Sequence, residues 1–189
     1  RQQSCCVLIE VTSRCDLVCP VCFASAGRQG VDMPIDEISA TLDELRAGSG
    51  QVHIQLSGGE PTVRDDLPEI VALVRAKRFD FIQLNTNGIR IGREPGYLAA
   101  LADAGLDCVF LQFDGVSDAV YRRLRGRDLF AAKRLAIESA RAAGVGLIAF
   151  ILARQKAARQ RAVGNHADAV LPAHHRQLLL KLLPPRQMI

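Results

Sequence analysis

Cys15, Cys19 and Cys22 place three thiols within eight residues, spaced CxxxCxxC. Thiolates are soft ligands, and three of them on a loop leaving a strand can converge on one metal site. A four-iron, four-sulfur cubane held by three thiolates leaves one iron without a protein ligand, and that open position lets a substrate or cofactor coordinate directly. Zinc is a second reading: it normally closes with four ligands, and Cys108 or His53 could supply the fourth, although both fall within strand patterns. In a third reading Cys19-Pro20-Val21-Cys22 is a redox dithiol lying between strand and helix, a use that leaves Cys15 without a role.

The elements that must position these thiols follow from the hydrophobic pattern. Residues 7–12 (VLIEVT) are β-branched and apolar, and form a first strand running straight into the cysteines. Residues 33–47 read as an amphipathic helix. Pro34 sits in its first turn, Asp36 and Glu37 complement its N-terminus, Ile35, Ile38, Leu42 and Leu45 share a face, and Gly48 can cap its end. A second strand at 52–56 ends in Ser57-Gly58-Gly59-Glu60-Pro61, and Leu67, Ile70, Val71 and Val74 then recur at helical spacing. A third strand at 81–86 ends in Asn87-Gly88 and a helix follows at 95–104, with Gly105 as its cap. A fourth strand at 108–113 ends in Asp114-Gly115, and a helix at 129–143 and a fifth strand at 145–152 complete the pattern.

Strands alternating with helices imply a parallel sheet with right-handed crossovers, and largely apolar strands imply one covered on both faces. The class is α/β. Ligands of such sheets bind at the carboxyl ends of the strands, where the cysteines, SGGEP, NTNG and QFDG all fall. At 189 residues the chain is shorter than a complete eight-fold barrel, of roughly 250 residues. The expected fold is therefore a partial TIM-like (β/α) barrel of about five parallel strands, truncated at both ends.

Charge is uneven along the chain. Residues 1–153 hold 17 basic and 19 acidic residues, whereas 154–189 hold 7 basic residues and only Asp168 as an acid. The basicity belongs to the tail, so no nucleic-acid partner is expected for the body. The tail reads as irregular or as a short helix around 178–183, and residues 1–6 as the remnant of an upstream cysteine-containing segment. The chain starts at Arg1 without a signal segment, five of its six cysteines crowd into the first 22 residues, and no apolar run is long enough to cross a bilayer. These features point away from a disulfide framework and toward a cytoplasmic protein without a transmembrane segment.

CxxxCxxC after a first strand, SGGEP after a second, NTNG after a third and QFDG after a fourth resemble the radical S-adenosylmethionine (radical SAM) superfamily, over residues 7–153. The resemblance implies that Cys15, Cys19 and Cys22 ligate a 4Fe-4S cluster whose open iron chelates S-adenosylmethionine. Reductive cleavage of the C5′–S bond would then give a 5′-deoxyadenosyl radical that abstracts hydrogen from substrate. It assigns Gly58, Gly59, Glu60 and Pro61 to the motif that receives the methionyl amino group, Thr86 and Asn87 to further contacts with that part, and Gln112 and Asp114 to the ribose. No catalytic side chain follows, because the abstracting species belongs to the cofactor.

Within the superfamily the wording around the cysteines is similar to tetraether lipid synthase-like and pterin-methylating enzymes. That likeness implies a small-molecule or lipid-like substrate, an electron donor such as a flavodoxin or ferredoxin, and carbon–carbon bond formation or methylation. Cys5 and Cys6 would end an auxiliary metal site upstream, or be two spare thiols. Two departures bear on the adenine: Val21 stands where many members carry an aromatic, and the fifth strand matches the adenine-proximal motif only loosely. Arg122, Arg123, Arg125 and Arg127 form either a solvated helix face or a guanidinium cluster for a substrate anion.

Overall fold

A computed structural model describes residues 6–20, 22, 24–48 and 52–150. Along the chain lie β1 (Cys6–Thr12), α1 (Ile35–Gly48), β2 (His53–Gly58), a 3₁₀ turn (Pro61–Val63), α2 (Leu67–Ala76), β3 (Ile82–Thr86), α3 (Ile89–Arg93), α4 (Tyr97–Asp103), β4 (Cys108–Gln112), α5 (Asp118–Arg125), α6 (Phe130–Ala142) and β5 (Gly146–Phe150). The five strands form one parallel sheet in the order β1-β2-β3-β4-β5, so each strand pairs with its successor in the chain. This is the α/β half-barrel expected from the pattern. Cys5 and the rest of residues 1–5, Val21, the end of the expected fifth strand and the 154–189 tail lie outside the described residues.

One face of the sheet carries the core. Ile9, Val11, Ile54, Leu56, Ile82, Leu84, Val109, Leu111 and Leu147 alternate along the strands and pack against Ile38 and Leu42 of α1, Ile70, Val71 and Val74 of α2, Leu98 and Leu101 of α4, and Ile137 of α6. Each of these is a side chain whose truncation to alanine costs about 2–5 kcal/mol for a leucine or isoleucine. The opposite face departs from the sequence expectation of a sheet covered on both sides: Gln55, Gln83, Asn85 and Gln112 are half-buried there. The strands are bifacial because Ile-Gln-Leu at 54–56 and at 82–84 alternates with period two.

Two short helices were not expected from periodicity. α3 spans five residues and α5 is dominated by arginine, so neither offers the apolar repeat that betrays a longer helix. In α5 the spacing that matters is Tyr121 to Arg125, one turn apart and both buried.

Candidate active site

At the carboxyl rim of the strands the chain leaving β1 lies directly on the chain leaving β2. Gly59 N–H donates to the Thr12 carbonyl at 2.7 Å and Glu60 N–H to the Arg14 carbonyl at 2.8 Å. A β-carbon on Gly58 would come within 2.0 Å of Thr12 O, and one on Gly59 within 2.2 Å of Arg14 O. Gly58 also has φ +125°, a conformation that L side chains rarely adopt. The two glycines therefore serve first to let the cysteine loop approach β2. That loop is anchored at its base by Cys15 N–H to the Gly27 carbonyl at 2.9 Å, and by Arg14 forking onto Asp32 at 2.8 and 2.5 Å.

Glu60 is buried at 1% exposure and four donors meet its carboxylate. Oε1 accepts from Thr62 N at 3.1 Å, Thr62 Oγ1 at 2.6 Å and Thr86 Oγ1 at 2.6 Å, and Oε2 accepts from Asn87 N at 2.6 Å. Burial pushes its pKa up, and the hydrogen bonds from Asn87, Thr62 and Thr86 oppose that shift. Asn87 extends the network: its Nδ2 donates to Asp16 Oδ1 at 2.7 Å, inside the cysteine loop, and its carbonyl accepts from Lys133 Nζ of α6. Lys133 is fully buried, which lowers its pKa to about 8 despite the attraction of Asp114 and Glu60.

Between these elements opens a cavity of about 380 Å³ whose wall includes Cys15, Cys19, Cys22, Gly58, Gly59, Glu60, Thr86, Asn87, Gln112 and Arg125. The sequence thus brought together all three cysteines and six of the eight residues assigned to the cofactor. Pro61 is buried as the first residue of the 3₁₀ turn, where its missing N–H costs nothing, and stands outside the cavity wall. Asp114 is fully buried and also outside the wall, because Arg125 claims it: Nε to Oδ2 at 2.8 Å and Nη2 to Oδ1 at 2.7 Å. The Gln112 side-chain oxygen, in the amide orientation its neighbours require, accepts from the same guanidinium at 3.0 and 2.7 Å.

Arg125 is therefore no part of a solvated face, although Arg122, Arg123 and Arg127 are exposed as that reading of the run expects. Burial would lower its pKa, but the Asp114 carboxylate more than compensates, with Cys19 adding to the rise. Burial pushes the Cys15 thiol up to about 12, with Glu60, Asp16 and Cys19 adding to the effect. A bound metal would reverse this by replacing the proton. Lys133 escaped the sequence reading, yet it left a signal: it falls on the apolar stripe of Leu129, Ala136, Ile137 and Ala140, where a lysine must find a buried acceptor.

A parallel (β/α) half-barrel with a thiol-lined cavity at its carboxyl rim defines a class of cofactor-dependent barrel proteins. The radical SAM superfamily profile matches residues 9–153, and the chain belongs to that superfamily. Members bind a 4Fe-4S cluster and S-adenosylmethionine. The chain is 38% identical over 160 residues to 7,8-dihydro-6-hydroxymethylpterin dimethyltransferase of Methanocaldococcus jannaschii, covering 83% of this chain and 31% of that protein. It is 35% identical over 136 residues to a probable GTP 3′,8-cyclase of Methanothermobacter thermautotrophicus, covering 70% and 42%. Among solved structures, anSMEcpe with bound AdoMet superposes with a TM-score of 0.67 at 20% identity, covering 85% of this chain and 46% of that one, which supports the fold. The chain spans about a third to under a half of the length of these curated relatives.

Proposed function

We propose that this chain, within residues 7–153, is the cofactor-binding core of a radical SAM enzyme. The observation that carries the reading is that Cys15, Cys19 and Cys22 line one cavity together with Gly58, Gly59, Glu60, Thr86, Asn87 and Gln112, although among the described residues no three Cys, His, Asp or Glu side chains stand close enough to share one ion. The donor set fits the group: three soft thiolates on one loop, spaced along a cavity wall and backed by a buried cation. Cys15, Cys19 and Cys22 would hold a 4Fe-4S cluster. Bound there with S-adenosylmethionine, it would supply one-electron reductive chemistry for hydrogen abstraction from substrate.

The chain's own residues bind and orient. Glu60 places a buried negative charge beneath the cavity on the side where a methionyl ammonium is received. The donors on Thr86 and Asn87 tie Glu60, and through it the turn after β2, to the end of β3. Arg125 faces the cavity with a cation that Asp114 holds in one orientation, suited to the carboxylate of the same amino-acid group. Gln112 serves the ribose hydroxyls, and Asp114 acts through Arg125. Leu17 and Phe110 add apolar wall that excludes water.

Two relatives are named for chemistry on a pterin and on GTP, which supports a small-molecule substrate over a lipid-like one. A flavodoxin or ferredoxin is the expected electron donor, and the reducing cytoplasm the compartment in which such thiols survive. No helix among the described residues is long and apolar enough to cross a membrane.

The test is electron paramagnetic resonance on anaerobically reconstituted, dithionite-reduced protein. A 4Fe-4S signal that changes when S-adenosylmethionine is added is expected, and it should vanish in Cys15→Ala. Zinc retained in place of iron, or a cluster signal indifferent to S-adenosylmethionine, overturns the reading.

A further inference from the structure

The inner face of the half-barrel is polar on β2 and β3 where it adjoins the cavity, and the polar row is flanked by Leu8 beside Gln55 and Phe110 beside Asn85. On β2 and β3, Gln55 Nε2 donates to Asn85 Oδ1 at 2.7 Å, and Asn85 Nδ2 donates to Ser57 Oγ at 3.2 Å. Gln83 stands beside Gln55 in register, and Glu10 of β1 stands beside Ser57. Ser57 and Asn85 line the cavity; Gln55 and Gln83 lie two residues further down the same strands. This row is unlike the opposite face, which is uniformly apolar.

The internal bonds leave a definite remainder. Gln55 keeps its carbonyl oxygen and one N–H, Asn85 keeps one N–H, and Ser57 keeps its hydroxyl hydrogen. Among the described residues Gln83 makes no side-chain hydrogen bond and Glu10 no ion pair. Three adjacent strands and a two-residue rise make the patch about 10 by 7 Å, room for a two-ring heterocycle. A carboxylate beside mixed amide donors and acceptors is complementary to an edge that offers adjacent N–H and NH₂ donors next to a carbonyl. An acyl or isoprenoid chain would leave every one of these groups unpaired and dehydrated, which costs about 1–3 kcal/mol for each.

We infer that Glu10, Gln55, Ser57, Gln83 and Asn85 form the substrate site, and that it takes a flat ring with a 2-amino-4-oxo edge, of pterin or guanine type. The inference rests on the cofactor reading above, since the ring would lie next to the cavity in which the radical is made.

The test titrates the full chain with 6-hydroxymethylpterin, guanosine monophosphate, lumazine and palmitate, and separately with S-adenosylmethionine after anaerobic reconstitution. Lumazine carries an oxygen where the pterin has its amino group. The pterin or the nucleotide should bind, whichever binds tighter identifying the source of the ring, and lumazine should bind at least tenfold more weakly than the pterin. Glu10→Gln and Gln55→Leu should each weaken ring binding roughly tenfold to a hundredfold, the usual cost of removing one partner of a charged or buried hydrogen bond, with S-adenosylmethionine binding unchanged. Equal binding of lumazine, binding of palmitate instead, or no ring binding by a protein that does bind S-adenosylmethionine overturns the inference. Ring binding that responds to both variants in a protein that ignores S-adenosylmethionine would keep this site and overturn the cofactor reading. Binding of none of the probes overturns both.

Discussion

Adding one carbon at Gly59 should open the whole site. In Gly59→Ala the new β-carbon would lie 2.2 Å from Arg14 O, 2.8 Å from Arg14 C and 3.0 Å from the Ala26 β-carbon. Because the first two are backbone atoms, no side-chain rotation relieves the clash, and reaching even 3.0 Å requires the cysteine loop to retreat by at least 0.8 Å. That retreat strains the bonds from Gly59 N to Thr12 O and from Glu60 N to Arg14 O. Overpacking of this kind costs typically 1–3 kcal/mol and each of the two weakened hydrogen bonds about 1 kcal/mol, so a loss of about 3–5 kcal/mol is expected. Cys15 follows Arg14 directly, so the displacement passes to the thiols and iron content after reconstitution should fall. The assay is urea unfolding followed by far-ultraviolet circular dichroism, with iron and sulfide measured on the same preparations. Gly48→Ala is the control: it ends α1 with nothing within 4 Å of the added carbon, and should be neutral or stabilising by up to about 1 kcal/mol. If Gly59→Ala matched Gly48→Ala in stability and in iron content, the account of the glycines as spacers between β1 and β2 would be wrong.

Lys133 gives a pH dependence of defined sign. Its folded pKa, about 8, lies below its ordinary 10.5, so its contribution is fully present above the ordinary value and is lost as pH falls through the folded one. Between those two values the wild type should gain on the order of 3 kcal/mol relative to Lys133→Met, measured by unfolding at each pH, and parallel curves would refute the burial of its charge. Arg125→Met should cost about 3–5 kcal/mol because it strands the fully buried Asp114 carboxylate, and adding Asp114→Leu should recover much of that loss. Arg123→Ala, on the exposed side of α5, should stay within about 0.5 kcal/mol of wild type in the same denaturation series.

What the sequence made legible was the part written in local chemistry. The strand ends are marked by turn residues, so SGGEP, NTNG and QFDG fall on one rim from the sequence alone, and the cysteine spacing singles out the three thiols that line the cavity. Pairings that depend on a distant residue were not legible. Asp114 looks like a rim carboxylate until Arg125, eleven residues later, turns back and neutralises it. Glu60 looks like a free side chain until Thr62, Thr86 and Asn87 meet its carboxylate and fix its orientation in the cavity wall. The polar inner face was present as Ile-Gln-Leu in two strands, but in five- and six-residue strands one glutamine among apolar neighbours hardly lowers the mean hydropathy, and only the parallel register sets Gln55 beside Gln83.

The strictly sequential strand order bears on how the site comes into being during synthesis. Each strand can dock on its predecessor as it emerges, so the thiols and Gly58 to Glu60 are in place early. Arg125, which stands beside Cys19, follows 106 residues later. At about 5–20 residues per second the nascent thiols wait roughly 5–20 s for that wall to arrive. Metal delivered in this interval meets an open trough exposed to oxidants, whereas metal delivered afterwards enters a walled chamber with a guanidinium already at its side.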